Sequence, residues 1–489
     1  MLGTWRSHAD YRNFVLCRIE NYRSDPLSPL HEFFLILAKL FIFDLDPLKE
    51  ILAGLYSNTG RPATNQPELM RVFLVMQHLK KPVCRWVSTL KSNFILRTIC
   101  GLTKSNIPNI SSLYAFNYRI TGKEQGPKVK NFKRKPKYKL KKGEKLQPKR
   151  LNVTRRLADR LSIGRRFRDP LAESINDILA LAIKQSYELG LIDPHVNVSG
   201  DGTCMETGAS HYGNKTCGCK SKGVFFCDCP RRFPDPAANW GWDSHIESWF
   251  YGYTGYFLST HNKTHKADLP LYLRIVDAKR HDSVSALVAL AEFRDRYPQL
   301  HIDTFISDSA SDNQATYELL EEWGIDAVIA LGKPIKKTSK FPVPIDFSDA
   351  TPICPSGHRM VFCGDEVMRP RSKWRCPRVM GKADKGDCCD TCSQSPYGRT
   401  VYTKPSWDPR IFCSIPRGTK RWKMLMNERT AAERVNKRIL IDYGLGSTRR
   451  WGKKRIAFAT LMAAINIHLD AQLKIQMPGY GRKPDISAA

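Results

Sequence analysis

A chain of 489 residues is too long for one ordinary core, so two or three domains are expected, and a hydrophobic share of 42% with ten tryptophans excludes global disorder. Lys and Arg number 78 against 47 Asp and Glu, a formal charge of +31, which favours a polyanionic partner, nucleic acid before a membrane surface. The longest apolar stretch, Phe33–Phe43, is broken by Lys39 and falls short of the ~20 residues that span a bilayer. No secretory h-region opens the sequence, and fifteen cysteines without that route read as thiols or metal ligands rather than disulfides. The expectation is a cytoplasmic protein with no membrane partner.

Residues 30 to 120 read as helical. Pro47–Ala63 and Gln66–Lys81 carry apolar residues at three- and four-residue intervals, punctuated by Pro62, Pro67 and Pro82. Ser105–Ile120 reads as a Ser-capped turn into one more helix. Residues 1–122 are therefore expected to form a helical N-terminal domain, either a DNA-binding module or a plain packing and dimerisation bundle. Lys123–Arg150 then holds thirteen Lys/Arg against two Glu, with little to bury. Residues 123–170 are expected to be a basic linker that gains order on a polyanion. Lys133, Arg134 and Lys135 are its candidate DNA contacts, with Phe132 and Tyr138 available to stack on bases.

A helix over Asp169–Ile192 introduces the rest of the chain. Strands are expected at His195–Thr203, Trp249–His261 and Asp268–Arg280. A helix at Val284–Tyr297, a strand at Thr304–Asp308, a helix at Asn313–Gly324 and a strand at Ala327–Gly332 follow. Asn427–Gly444 and Lys454–Ile475 read as closing helices. Strands that meander and then alternate with helices indicate a multidomain α/β chain with a mixed sheet covered by helices.

Two of these strands are expected to end on a carboxylate, Asp201 and Asp308, and the Asn427–Gly444 helix offers Glu433. A carboxylate at a strand terminus is held rigidly yet faces a cleft, which suits Mg²⁺. That ion takes oxygen ligands and keeps several waters, and two ions can serve both oxygens of an in-line phosphoryl displacement. Strand-end aspartates also cap turns, and Arg429 with Glu433 could be a simple helical i,i+4 ion pair. Glu428 lies on a different helical face from Glu433. Glu206 and Asp312 are lesser alternatives, the latter read as structural. His245, His281, Asp243 and Asp282 could assist but are more ordinary as turn residues.

Cysteines interrupt the α/β pattern twice. Cys217, Cys219, Cys227 and Cys229 flank a candidate hairpin and could enclose one tetrahedral Zn²⁺. Cys354, Cys376, Cys389 and Cys392 form a second candidate zinc set, with His358 or Cys363 as alternatives to Cys354. Reduced, unligated thiols remain the other reading of both.

The order Asp201, Asp308, Glu433 resembles the insertion-sequence DDE transposases. One branch of these carries Tyr-x2-Arg-x3-Glu-x6-Lys on the last catalytic helix. Arg429 and Glu433 match; Met426 and Leu440 stand where Tyr and Lys would, and Lys437 or Arg438 could substitute for that Lys. SDSASDN, WGWDSH, YGYTGYFL, DLPL and AKRHDS are similar to family segments, as is the helical N-terminal region.

The resemblance implies an RNase H-like catalytic domain over residues 171–489, with cysteine-rich insertions near 204–240 and 345–415. It also implies two Mg²⁺ (or Mn²⁺) ions on Asp201, Asp308 and Glu433, and a phosphate contact from Arg429. The activity implied is metal-dependent hydrolysis at transposon ends and strand transfer into target DNA. The partners implied are double-stranded DNA and a second copy in a homodimer, on the nucleoid of a bacterial host. A metal-dependent nuclease without strand transfer and a non-catalytic transposase-derived DNA-binding protein are the alternatives.

Overall fold

Seven helices come first in the computed structural model, which describes residues 1–23, 30–131, 152–244, 246–336, 340–366, 368–382, 392–393, 395–446 and 450–477. They are α1 (His8–Arg23), α2 (Leu30–Ile42), α3 (Leu48–Ala53), α4 (Gln66–His78), α5 (Val83–Ser92), α6 (Phe94–Ile99) and α7 (Ile110–Thr121). Asn93 and Asn109 cap α6 and α7 by accepting from Leu96 N–H and Ser112 N–H, which satisfies donors that a helix start leaves unpaired. Next come β1 (Lys128–Lys130), α8 (Val153–Ser162) and α9 (Pro170–Glu188). Asp169 caps α9, and Pro170 sits in its first turn, where a missing N–H costs nothing.

The main sheet holds β2 (His195–Glu206), β5 (Asn239–Asp243), β6 (Ser248–Asn262), β7 (Ala267–Asp277), β8 (His301–Ser307) and β9 (Asp326–Ile329). Between β2 and β5, β3 (Asn214–Lys215) and β4 (Arg231–Phe233) form a small separate sheet with β1. Strand β6 pairs antiparallel with β2 along one edge; along the other it pairs with β7 and, nearer its start, with β5. On the far side of β2, β8 and then β9 run parallel. Helices α10 (Asp282–Arg296) and α11 (Gln314–Glu322) supply the crossovers of this α/β part.

A second small antiparallel sheet of β10 (Val361–Glu366), β11 (Arg371–Arg375) and β12 (Thr400–Thr403) follows β9. The chain returns as α12 (Lys420–Glu428), α13 (Thr430–Lys437), a π turn over Arg438–Asp442 and α14 (Lys453–Gln476).

Among the described residues α14 is long and apolar enough to cross a membrane, but it is almost wholly buried in the fold. It packs against α9, β7, α4, α2 and α7, and its polar side chains find partners there. Asn466 donates to Leu74 O (3.2 Å), His468 Nε2 pairs with Pro270 O (2.8 Å) and Gln472 donates to Ala182 O (3.1 Å). The N-terminal helices share this core rather than standing apart. The Phe73 ring meets Phe458 edge-on at 4.8 Å, and buried Lys39 on α2 pairs with Asp470 on α14 at 2.6 Å.

The stretch expected to be linker is partly built into the body. Lys128–Lys130 pairs with β4, and α8 buries Leu157, Ala158 and Leu161 against Leu287 and Val288 of α10 and Ala315 and Leu319 of α11. Lys133, Arg134, Lys135, Phe132 and Tyr138 lie outside the described residues.

Candidate active site

Asp201 sits inside β2 rather than at its end, because the strand runs on to Glu206. The flanking glycines explain both the misreading and the structure. Side chains alternate faces along a strand, so Gly200 and Gly202 face away from the Asp201 side. A Cβ on Gly200 would lie 2.4 Å from Tyr256 Oη, and one on Gly202 would lie 2.6 Å from Asp282 Oδ1. The glycines therefore make room for a buried phenol and a carboxylate beneath the site.

Ser199 of β2 is in register with Ile306 of β8. Two residues on, that register sets Asp201 beside Asp308, and parallel neighbours in one register project to the same face. Strand β8 ends at Ser307, and Asp308 caps the turn Ser309–Ser311 by accepting from Ala310 N–H at 3.0 Å. The cap locks the backbone that carries the carboxylate.

Glu433 comes from α13, which packs on β2, β6 and β7. It is 48% exposed, and its Oε1 pairs with Arg429 at 2.6 Å. One turn further on, Asn436 donates Nδ2–H to Asp201 Oδ2 at 2.8 Å. Arg429, Glu433 and Asn436 follow at i, i+4 and i+7, one face of a helix, and from that face Asn436 reaches Asp201. Asp201 is pushed up to about 7, first by burial and then by the negative charges of Asp308 and Asp282. Glu433 adds to the rise, and the nearby Arg429 opposes it.

Asp282, at the start of α10, is pushed up to about 6 by burial and then by Asp308, against His281. The sequence gives it little prominence, yet it belongs to the acidic cluster. Tyr256 is fully buried below, and its hydroxyl has no hydrogen-bond partner among the described residues.

The other acids are committed elsewhere. Asp312, 1% exposed, is gripped by Arg410 Nε and Nη2 (2.9 and 2.7 Å) and accepts from Gly332 N–H (2.7 Å). Glu428 accepts from Asn197 at 2.9 Å and pairs with Lys263 at 2.7 Å. His281 caps α10, and His245 lies outside the described residues. Lys437 is exposed, whereas Arg438 pairs with Asp442 and Asp470.

Two groups among the described residues bring three or more ligand atoms within 4.8 Å of one another: Cys217, Cys219, Cys227 and Cys229, and the exposed His195, His301 and Asp303. The histidines lie at the starts of β2 and β8, six residues along β2 from Asp201. Asp201, Asp308 and Glu433 are not drawn together within 4.8 Å as a set. The second cysteine set does not converge among the described residues. Cys354 is buried beside Met360 and Trp374 in an apolar cluster, Cys376 is buried, Cys392 is partly so, and Cys389 lies outside the described residues.

No curated protein matches the chain. A family described as Transposase DDE domain matches residues 201–467, more than half of the sequence. The match begins on Asp201 and spans Asp308 and Glu433. This match, over a mixed sheet that carries Asp201 and a helix bearing Glu433 packed on it, places the chain in the DDE transposase family.

Proposed function

We propose that this transposase hydrolyses a phosphodiester at the end of a DNA element and joins the freed 3′-hydroxyl to target DNA, with Asp201, Asp308 and Glu433 as its three acids. The observation that carries this reading is the shared register of Asp201 and Asp308 under the helix face of Glu433. The strand order β7-β6-β2-β8-β9, antiparallel in its first half and parallel in its second, supports an RNase H-like catalytic domain. On this reading the sheet β10-β11-β12 belongs to an insertion between the second and third acids.

The donor set fits two divalent ions, Mg²⁺ or Mn²⁺. All donors are carboxylate oxygens, the ligands such hard cations take, and burial with the charges of Asp308 and Asp282 holds Asp201 up to about 7 despite Arg429. Bound there, the cations would neutralise charge on the attacking and leaving oxygens. The chain's own groups position the rest. Asn436 fixes the orientation of Asp201, and the Ala310 N–H fixes Asp308. Arg429 pairs with Glu433 across one helical turn, and its guanidinium would be free for a scissile phosphate once Glu433 turned to the metals. Lys437, exposed two turns beyond Arg429, is placed for the neighbouring phosphate, while Arg438 braces the π turn against α14.

Lys133, Arg134 and Lys135 would grip the ends, and two ends handled together call for a homodimer. We place the protein in the cytoplasm, on the nucleoid.

The test is Asp308→Asn in the full chain. End-duplex binding in a gel shift should be retained and Mg²⁺-dependent cleavage lost; persistent cleavage removes Asp308 from the site. A pre-cut end that yields no joined product with the wild type would reduce the activity to that of a nuclease.

A further inference from the structure

The four cysteines between β3 and β4 are built as a metal site. Their sulfurs lie within 4.8 Å of one another, with Cys217 to Cys227 and Cys219 to Cys229 both at 3.6 Å. Zn–S bonds of ~2.3 Å in a tetrahedron set sulfurs about 3.8 Å apart, whereas a disulfide needs ~2.05 Å. Backbone bonds pre-form the loop. Val224 N–H donates to Cys219 O (2.9 Å), Lys222 N–H to the same carbonyl (3.1 Å), and Gly223 takes φ +77° to close the turn.

That loop carries the most exposed aromatic pair in the neighbourhood, Phe225 at 61% and Phe226 at 96%. Apolar surface so fully in water calls for a partner, and the surrounding charge states which. Lys220 and Lys222 precede the tip without a carboxylate partner among the described residues, against one exposed carboxylate, Asp228, that follows it. The sheet below brings Lys128 and Lys130 of β1 beside Arg231 and Arg232 of β4, where the strongly basic segment enters the fold. The knuckle lies in the excursion between β2, which carries Asp201, and β5 of the same sheet.

We propose that Cys217, Cys219, Cys227 and Cys229 bind one Zn²⁺, and that the ion braces a basic loop whose Phe225–Phe226 tip enters a groove of duplex DNA flanking the reacting phosphate. Apolar wedges set among basic residues act on DNA in this way, parting a base step while cations hold the backbone. The DNA half rests on the proposed function; the zinc half does not.

The experiment uses the full-length protein. Elemental analysis should show zinc, with one equivalent lost in Cys219→Ser. Should that variant fail to fold, peptide-resolved alkylation of the wild type serves instead: the four thiols should be protected until a chelator is added. Unprotected thiols, or an unchanged zinc content in Cys219→Ser, overturn the site.

Phe225→Ala/Phe226→Ala should keep its zinc, bind a 2-aminopurine-labelled end duplex about tenfold more weakly and lose the fluorescence rise of a parted step. Equal affinity and equal fluorescence of wild type and tip variant overturn the wedge and leave the proposed function standing. A wild type that binds no duplex overturns both. A tip variant altered only in oligomeric state assigns the tip to a second copy and overturns the DNA role.

Discussion

Asn436 Nδ2 lies 2.8 Å from Asp201 Oδ2, so the glutamate-bearing helix touches the strand carboxylate directly. A hydrogen bond to a charged acceptor contributes about 1.5–3 kcal/mol, and here it aims the acid. Asn436→Ala should lower the cleavage rate about tenfold or more while DNA affinity stays near wild type. Single-turnover cleavage with pre-bound duplex measures this; an unchanged rate would show that the contact has no positioning role.

Removing an acid should cost far more. A carboxylate that helps hold a divalent ion supports several kcal/mol of charge stabilisation, about 10³-fold in rate at 1.4 kcal/mol per decade. Asp201→Asn and Glu433→Gln should each lose cleavage on that scale with gel-shift affinity retained. Glu428→Gln should leave cleavage within a few fold, because Glu428 is held by Asn197 and Lys263.

The raised acids give metal-free protein a distinctive pH dependence. Asp201 rises from 3.8 to about 7 and Asp282 from 3.8 to about 6. Between pH 4 and 7 these two groups bind more protons folded than unfolded, so their contribution to stability falls as pH rises. Buried His78 and His468, pushed down to about 4, contribute the opposite slope. In EDTA the Tm of wild type relative to Asp201→Asn should therefore fall by roughly 2 °C or more from pH 5 to pH 8. Mg²⁺ should restore more stability at pH 8 than at pH 5. A difference between the two proteins that stays level across this window would contradict the acidic cluster.

Asp312 is tied to Arg410 in a buried pair, so its loss should appear in stability. Removing one partner of such a pair costs about 3–5 kcal/mol. Asp312→Ala should show a clearly lower midpoint in urea, with cleavage per folded molecule preserved at low temperature.

The helical region and the sheet share one core through Phe73, Phe458, Lys39 and Asp470. A chain beginning at residue 123 should therefore expose α14 and aggregate. Soluble, monodisperse material from that truncation in size-exclusion chromatography would show that the two parts fold independently.

Much of this was legible in the residues themselves. Alternation in Trp249–His261 and Asp268–Arg280 marks β6 and β7, and apolar periodicity marks α9, α10 and α14. Asp201, Asp308 and Glu433 stand out by position and order. What escapes is what depends on distant partners. Gly200-Asp201-Gly202 reads as a strand end because glycine weakens strands, yet here Tyr256 and Asp282 occupy the space that side chains would need.

Asn436 looks like any polar helix residue until α13 docks on β2. Helix α1 carries apolar residues such as Phe14 and Leu16 on other faces as well, and its Tyr11–Val15–Ile19 row is the one that α2 and α6 close over. Lys128–Lys130 joins a sheet by backbone pairing, with Lys130 Nζ donating to Pro236 O, which no apolar pattern announces.

The most direct test of the central claim is a crystal structure of the full chain with Mn²⁺ and an end duplex, read by anomalous scattering. Two manganese peaks should appear at about 2.2 Å from carboxylate oxygens of Asp201, Asp308 and Glu433, with Arg429 turned toward a DNA phosphate. Manganese bound elsewhere, or Glu433 still paired with Arg429 and remote from both aspartates in the presence of DNA, would contradict it.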